Sequence, residues 1–253
     1  MVRTKKENLD TILFALPTTN NGFGFYNFTV GEGEDTVHSV ALCRGDINQD
    51  TCQTCLSDSI YKLRQLCPTQ KEAMGYYDYC LLKYSDTKIL GSTQIRFYVY
   101  LADPKNATDI DRFNGALGPL MKKLRGDAAA GGPLKKFAIG STSGTDFSTI
   151  YGLVQCTPDL SEQQCSDCLE DIINRIPLYL YGKAGGTLLL PMCNFRYGTS
   201  RFFNQTLQAI SPSPTQSLER SSPIPQPSPP PGMASSFSCF IKNKEVDKRL
   251  TKK

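Results

Sequence analysis

The chain has 253 residues, 40% of them hydrophobic and 21% charged, enough for one large domain or two small ones with packed cores and too apolar for wholesale disorder. No run approaches the eighteen apolar residues of a membrane span, and the formal charge of +4 is carried from Glu219 onward by seven Lys/Arg against three Asp/Glu. Residues 1–218 are thus balanced and offer no basic face to a nucleic acid. A single histidine, His38, leaves no His-paired triad and no multi-histidine metal site.

In chain order, Leu9, Ile12, Leu13 and Leu16 mark an amphipathic helix, punctuated by Pro17. Thr36 to Leu42 reads as a strand running into Cys43. Asn48 then stands as N-cap of a helix that opens on Cys52-x-x-Cys55 and buries Leu56, Ile60 and Leu63 on one face. A strand-like segment, Ala73 to Ser85, carries Cys80, and the aromatic group Tyr76, Tyr77, Tyr79, Tyr84, Phe97, Tyr98 and Tyr100 reads as sheet with one face in the core. Asp103-Pro104-Lys105-Asn106 is the join. Phe113, Leu117, Leu120 and Leu124 mark a second amphipathic helix before Gly131-Gly132-Pro133. Thr149 to Gln155 is a strand into Cys156, and Ser161 with Gln164 has capping-box spacing ahead of Cys165-x-x-Cys168 and the apolar face Leu169, Ile173, Ile176. Gly186 to Gly198 is again strand-like and carries Cys193.

One ungapped offset of 113 residues relates these halves: Cys43 to Cys156, Cys52 to Cys165, Cys55 to Cys168, Cys80 to Cys193, and Tyr84 to Tyr197. Four rare residues agreeing on one offset identify a tandem duplication. The predicted fold class is α+β, two small domains, with boundaries 1–104 and 105–207. From Pro212 to Pro231 lie half of all the prolines, an extended spacer with no core; residues 208–253 read as a disordered stalk and charged tail.

Ten cysteines, at 43, 52, 55, 67, 80, 156, 165, 168, 193 and 239, admit three readings. A zinc ribbon needs its two CxxC pairs fifteen to twenty residues apart, and here they are 110 apart. Thiol redox catalysis would use a CxxC at a helix N-terminus, but no βαβ pattern precedes it. A disulfide framework in an oxidising compartment is the reading favoured, and no metal or other cofactor is expected. Sequons at Asn27, Asn106 and Asn204 agree with an extracellular location. The N-terminus does not read as a signal peptide: Thr11 to Leu16 is too short an apolar stretch and follows Glu7 and Asp10. An oxidising-compartment pattern without that leader predicts a chain cut at its start.

The strings CRGDINQDTCQTC and CTPDLSEQQCSDC share the motif C-x8-C-x2-C. With GFYNFTVGEGEDTVHSVALCRGD, CPTQKEAMGYYDYCLLKYSD, KFAIG and GKAGGTLLLPMCNFRYG, they resemble the plant ginkbilobin-homologous, or stress-antifungal, domain. Tandem copies of that domain form the ectodomains of cysteine-rich receptor-like kinases and the cysteine-rich repeat secretory proteins. The resemblance covers roughly Glu7 to Phe203. It implies two helices on a five-stranded antiparallel sheet in each copy, and the pairs Cys43–Cys52, Cys55–Cys80, Cys156–Cys165 and Cys168–Cys193. The family's third bond joins a cysteine ahead of the first helix to the position of Cys67, so the resemblance leaves Cys67 and Cys239 unpaired or uncertain, a mutual bond being only a guess. In the second copy Leu180 replaces that cysteine.

The family's antifungal member binds mannose through an Asn after its N-terminal cysteine, an Arg six residues before the last cysteine and a Glu five after it. The last two positions hold Met74 and Ser85 here, and Thr187 and Gly198 in the second copy, which argues against that sugar site. Receptor-kinase members continue into a membrane helix and a kinase. This chain has no Gly-rich loop with a following VAIK-like lysine, no HRD and no DFG. The expectation is therefore a non-catalytic extracellular module for an unknown apoplastic ligand or co-receptor in stress or defence signalling. It has no catalytic residue, no nucleic-acid partner, no membrane span and no ligand-binding residue yet assigned. The competing readings are a secreted antifungal mannose-binding protein and a thiol enzyme. His38 is read as a packing or surface residue.

Overall fold

The computed structural model describes residues 5–18, 24–91, 99–203, 236–241 and 244–248. Helix α1 (Lys5–Ala15) turns Leu9, Ile12 and Leu13 into the first core, and Leu16 joins them where Pro17 ends the helix in a single tight turn. Strands β1 (Phe25–Val30) and β2 (Val37–Cys43) pair antiparallel, Phe25 opposite Leu42. Helix α2 (Gln49–Leu66) starts where the Asn48 side chain accepts the Thr51 N–H at 2.9 Å, satisfying one donor of the first turn. Its Leu56 and Leu63 are fully buried. The segment read as one strand, Ala73 to Ser85, is a hairpin: β3 (Glu72–Tyr76) and β4 (Cys80–Ser85), with Ala73 opposite Tyr84.

The second half repeats this with one further strand ahead of its first helix. β5 (Val99–Ala102) precedes α3 (Ile110–Ala129), where Asp109 caps the Arg112 N–H. Next come β6 (Lys136–Ser143), β7 (Thr149–Cys156), α4 (Glu162–Ile173), the single turn α5 (Ile176–Tyr179), β8 (Gly186–Leu189) and β9 (Cys193–Gly198). At α4 the capping box is complete: Ser161 Oγ accepts the Gln164 N–H at 3.1 Å and Gln164 Oε1 accepts the Ser161 N–H at 2.8 Å. Ser161→Ala breaks it and is expected to lower unfolding free energy by about 1 kcal/mol, read as a shift of the urea midpoint at constant slope. The core face of α4 is led by Leu169 and Ile172, both fully buried, while Ile173 and Ile176 pack against the same core half-buried, because the helix ends at Ile173 and the next turn starts at Ile176.

The second sheet has the order β5-β8-β9-β7-β6, all antiparallel. The first is six-stranded, β1-β2-β4-β3-β10-β11, where β10 (Ser236–Ile241) and β11 (Lys244–Lys248) come from the C-terminal segment expected to have no fold. On each sheet the helices cover one face. Val37, Ala41, Leu82 and Tyr84 pack under α1 and α2; Ile150, Val154, Leu188, Phe195 and Tyr197 pack under α3 and α4. The alternate residues, Val40, Leu42, Met74 and Leu81 in the first sheet and Leu153, Gln155, Thr187 and Leu189 in the second, are buried too. These second faces meet, as the packing of Val99 on Met74 and Leu81 shows. The molecule is a helix–sheet–sheet–helix stack.

Candidate functional site

Eight of the cysteines form four bonds: Cys43–Cys52 and Cys55–Cys80 in the first half, Cys156–Cys165 and Cys168–Cys193 in the second. Each half thus ties its CxxC helix both to the end of the strand before it and to the hairpin after it. All four CxxC thiols are consumed, and among the described residues no trio of His, Cys, Asp or Glu is placed to hold a metal. Cys67, left unpaired or uncertain by the resemblance, is buried at the C-cap of α2 and is disulfide-bonded. Cys239 sits in β10 opposite Ala73, and its side chain lies outside the described residues.

The seam between the sheets holds a polar cluster built from both halves. Arg44, directly after Cys43, grips the Asp46 carboxylate with Nε at 2.5 Å and Nη2 at 2.9 Å. It also donates to Asp78 O at 3.1 Å and, across the seam, to Phe202 O at 3.0 Å, while its guanidinium lies 5.0 Å from the Tyr79 ring. The Asp46 side chain is 1% exposed and that of Arg44 10%. From the other domain Lys135 Nζ donates to Gly45 O at 2.6 Å, Gln155 Nε2 to Cys43 O at 2.9 Å and Arg196 Nη1 to Asp78 Oδ1 at 3.2 Å. Burial draws the Lys135 ammonium below its ordinary range, an effect that the Asp46 charge opposes. Burial first and the Asp78 charge second push the Tyr76 hydroxyl up to about 12, so it stays neutral. Gly45 has to be glycine, since a Cβ there would sit 2.4 Å from the Phe137 ring.

Beside this cluster a cavity of ~130 Å³ is lined by Gly24, Tyr26, Arg44, Asn48, Gln49 and Lys135 among others. That is well below the ~300–1,000 Å³ typical of small-molecule sites. A broader surface lies at the outer edge of the second sheet. There Tyr100 stacks on Tyr179 with centroids 4.9 Å apart, and Leu178 and Tyr181, 69% and 63% exposed, lie within two residues of Tyr179 along the chain. Of the sheet aromatics, Tyr77 and Tyr84 are buried, and Phe97 and Tyr98 lie outside the described residues.

His38 is half-buried in β2, its Nδ1 3.0 Å from Thr29 Oγ1. Burial first, and the Lys88 charge second, hold its pKa below the ordinary 6.5. The unfolded chain therefore takes the proton first: this contribution to stability is full above the unfolded pKa and declines as pH falls through 6.5 towards the lower folded value. Comparing Tm at pH 7.5 and 5.5 is expected to show a smaller acid-side loss in His38→Gln than in the unsubstituted chain.

A family model described as Salt stress response/antifungal matches residues 3–87 and 102–200. The chain belongs to this stress-antifungal family. It is 37% identical over 222 residues to cysteine-rich receptor-like protein kinase 25 of Arabidopsis thaliana, covering 85% of this chain and 33% of that protein. With cysteine-rich receptor-like protein kinase 26 of the same plant it shares 36% over 247 residues, 96% of this chain and 36% of the relative. The chain thus spans about a third of the length of these relatives. The tandem DUF26 ectodomain of the Arabidopsis thaliana cysteine-rich receptor-like protein PDLP8 superposes with a TM-score of 0.67 at 23% identity, over 79% of this chain and 93% of that one. That of PDLP5 gives 0.61 at 25%, over 78% and 92%. The α+β class and the tandem stress-antifungal fold are therefore established.

The positions matching the sugar-binding Arg and Glu of the stress-antifungal resemblance hold no charge and little open surface. Met74 is 2% exposed and packs on Leu81, Ser85 is buried against Thr87, and Thr187 is buried in the seam. The sequons Asn27 on β1 and Asn106 in the join are exposed, Asn106 Oδ1 accepting from Lys183 Nζ at 2.9 Å, and Asn204 lies outside the described residues. Sequence reasoning missed the seam residues Arg44, Asp46, Asp78, Lys135, Gln155 and Arg196. One signal was present: Gln155 occupies a place in an otherwise apolar strand where a solvated residue would not be buried. No helix among the described residues is long and apolar enough to cross a membrane.

Proposed function

We propose that this chain is a non-catalytic, extracellular recognition module, the tandem ectodomain part of a cysteine-rich receptor-like protein, engaging a protein ligand or co-receptor in the apoplast during stress or defence signalling. The observation that carries this reading is the sheet-to-sheet seam, which joins two disulfide-pinned units into one body while leaving an aromatic surface around Tyr100 and Tyr179 open. Such a body presents a fixed surface at little ordering cost, which is what a receptor module requires. The four disulfides and the exposed sequons Asn27 and Asn106 fit an oxidising, glycosylating compartment. The uncharged residues at the sugar positions weigh against a mannose-binding antifungal protein.

The test uses folded full chain secreted from a plant host. Titration with mannose and with yeast mannan is expected to give no heat. Cross-linking at leaf cell surfaces is expected to capture a discrete ectodomain-bearing partner, and Tyr100→Ser/Leu178→Ser/Tyr181→Ser to lose it with an unchanged far-UV spectrum. Saturable mannan binding, or capture unaffected by the triple substitution, would overturn the reading.

A further inference from the structure

The two sheets are superposable in order, and one position is filled differently. The 113-residue offset lays β1 on β6, β2 on β7, β3 on β8 and β4 on β9. The strand beside β8 is β5, which immediately precedes the helix of its own domain. The strand in the matching place, beside β3, is β10, from the far end of the chain. It runs antiparallel to β3 as β5 does to β8, with Ser236 opposite Tyr76 and Phe240 opposite Glu72, and β11 pairs with its other side.

The sulfur count leads to the same segment. Ten cysteines are present, nine described ones are all disulfide-bonded, and four bonds hold eight of these. The ninth is Cys67, which stands five residues before β3 begins. Within one chain, Cys239 in β10 is the remaining mate.

We infer that residues 236–241 are the fifth strand of the first domain, a C-terminal strap held on the β3 edge by a Cys67–Cys239 disulfide. A bare β3 edge would present a row of unpaired N–H and C=O groups to any extended chain. The strap satisfies them by strand addition, the mode in which main-chain hydrogen bonds supply the affinity. The covalent tie makes that addition intramolecular and persistent. In forming it, two thiols release two protons and pass two electrons to the disulfide of an oxidised dithiol oxidoreductase, leaving one S–S bond here and a dithiol there. This inference stands apart from the recognition role and survives its failure.

Trypsin tests it directly, because Gln65 to Lys71 and Ser221 to Lys242 each hold a single cysteine. Digestion of folded, unreduced full chain is expected to release these two peptides as one cross-linked species that reductant separates. Cys67 found free, bonded to any other cysteine, or bonded to Cys239 of a second chain in a covalent dimer on non-reducing electrophoresis would overturn the strap. In full-length Cys239→Ser, denatured alkylation is expected to find one thiol where the unsubstituted chain shows none. Hydrogen exchange of Glu72 to Tyr76 is expected to quicken by about ten-fold or more. A folded Cys239→Ser chain with unchanged exchange there would overturn it. Should Cys239→Ser not fold, the digest alone decides.

Discussion

Arg44→Ala is expected to cost about 3–5 kcal/mol in chemical denaturation, the largest effect of any single seam substitution. The size follows from what the change leaves behind. Asp46 is 1% exposed and takes two of its hydrogen bonds from Arg44, so alanine takes two charged donors from a carboxylate held away from water. The carbonyls of Asp78 and Phe202 lose donors at the same time, the second of them in the other domain. The loss should also appear as decoupling: calorimetry of the unsubstituted chain is expected to give one transition, and Arg44→Ala a broadened or split one. Replacing both charges, Arg44→Met with Asp46→Leu, is expected to recover much of the deficit, since the ion pair is then replaced by apolar groups rather than broken. If the double variant is no better than the single, cross-seam hydrogen bonding rather than charge burial carries the effect.

Removing Cys168–Cys193 as a double alanine variant is expected to cost about 3–4 kcal/mol, against about 2.5 kcal/mol for Cys156–Cys165. The first bond spans 25 residues of chain and the second 9. Closing the longer loop removes more freedom from the unfolded chain, so the ranking is fixed by loop length if denatured-state entropy dominates. Urea unfolding of both variants and of the parent reads the order. An inverted order would place the stabilisation in the native contacts that Cys165, fully buried, makes in the second core.

The repeat, the helix starts and the strand ends at the cysteines were legible because they depend on local rules. Asn48 and Ser161 cap as their side chains dictate, and the apolar spacing of Leu117, Leu120 and Leu124 has only one face to offer the core. The hairpin within Ala73 to Ser85 was missed because its turn, Tyr77 to Tyr79, has neither Gly nor Pro to announce it. The core role of Ile172 was missed because the period was carried through Ile173 and Ile176, which also pack on the core, past the end of α4. The seam was hidden for a different reason. Contiguous apolar runs such as Val40-Ala41-Leu42 and Leu188-Leu189-Leu190 say that both faces of a strand are dry, but not what covers the second face. Arg44, Asp78 and Gln155 are brought together only by tertiary structure, and their repeat equivalents, Thr157, Pro191 and Leu42, are of unrelated chemistry.

That last inequality has a consequence for the history of the duplication. Two copies meeting through matching residues could each revert to a self-associating single unit. Here Met74, Leu81 and Leu42 on one side and Leu153 and Leu189 on the other are buried on the sheet faces that meet at the seam, and the polar latches across it are split unevenly between the halves. Either half made alone would carry an oily sheet and stranded hydrogen-bonding groups into water. A gene rearrangement that kept one half of this chain and discarded the other is therefore expected to yield a sticky, short-lived product.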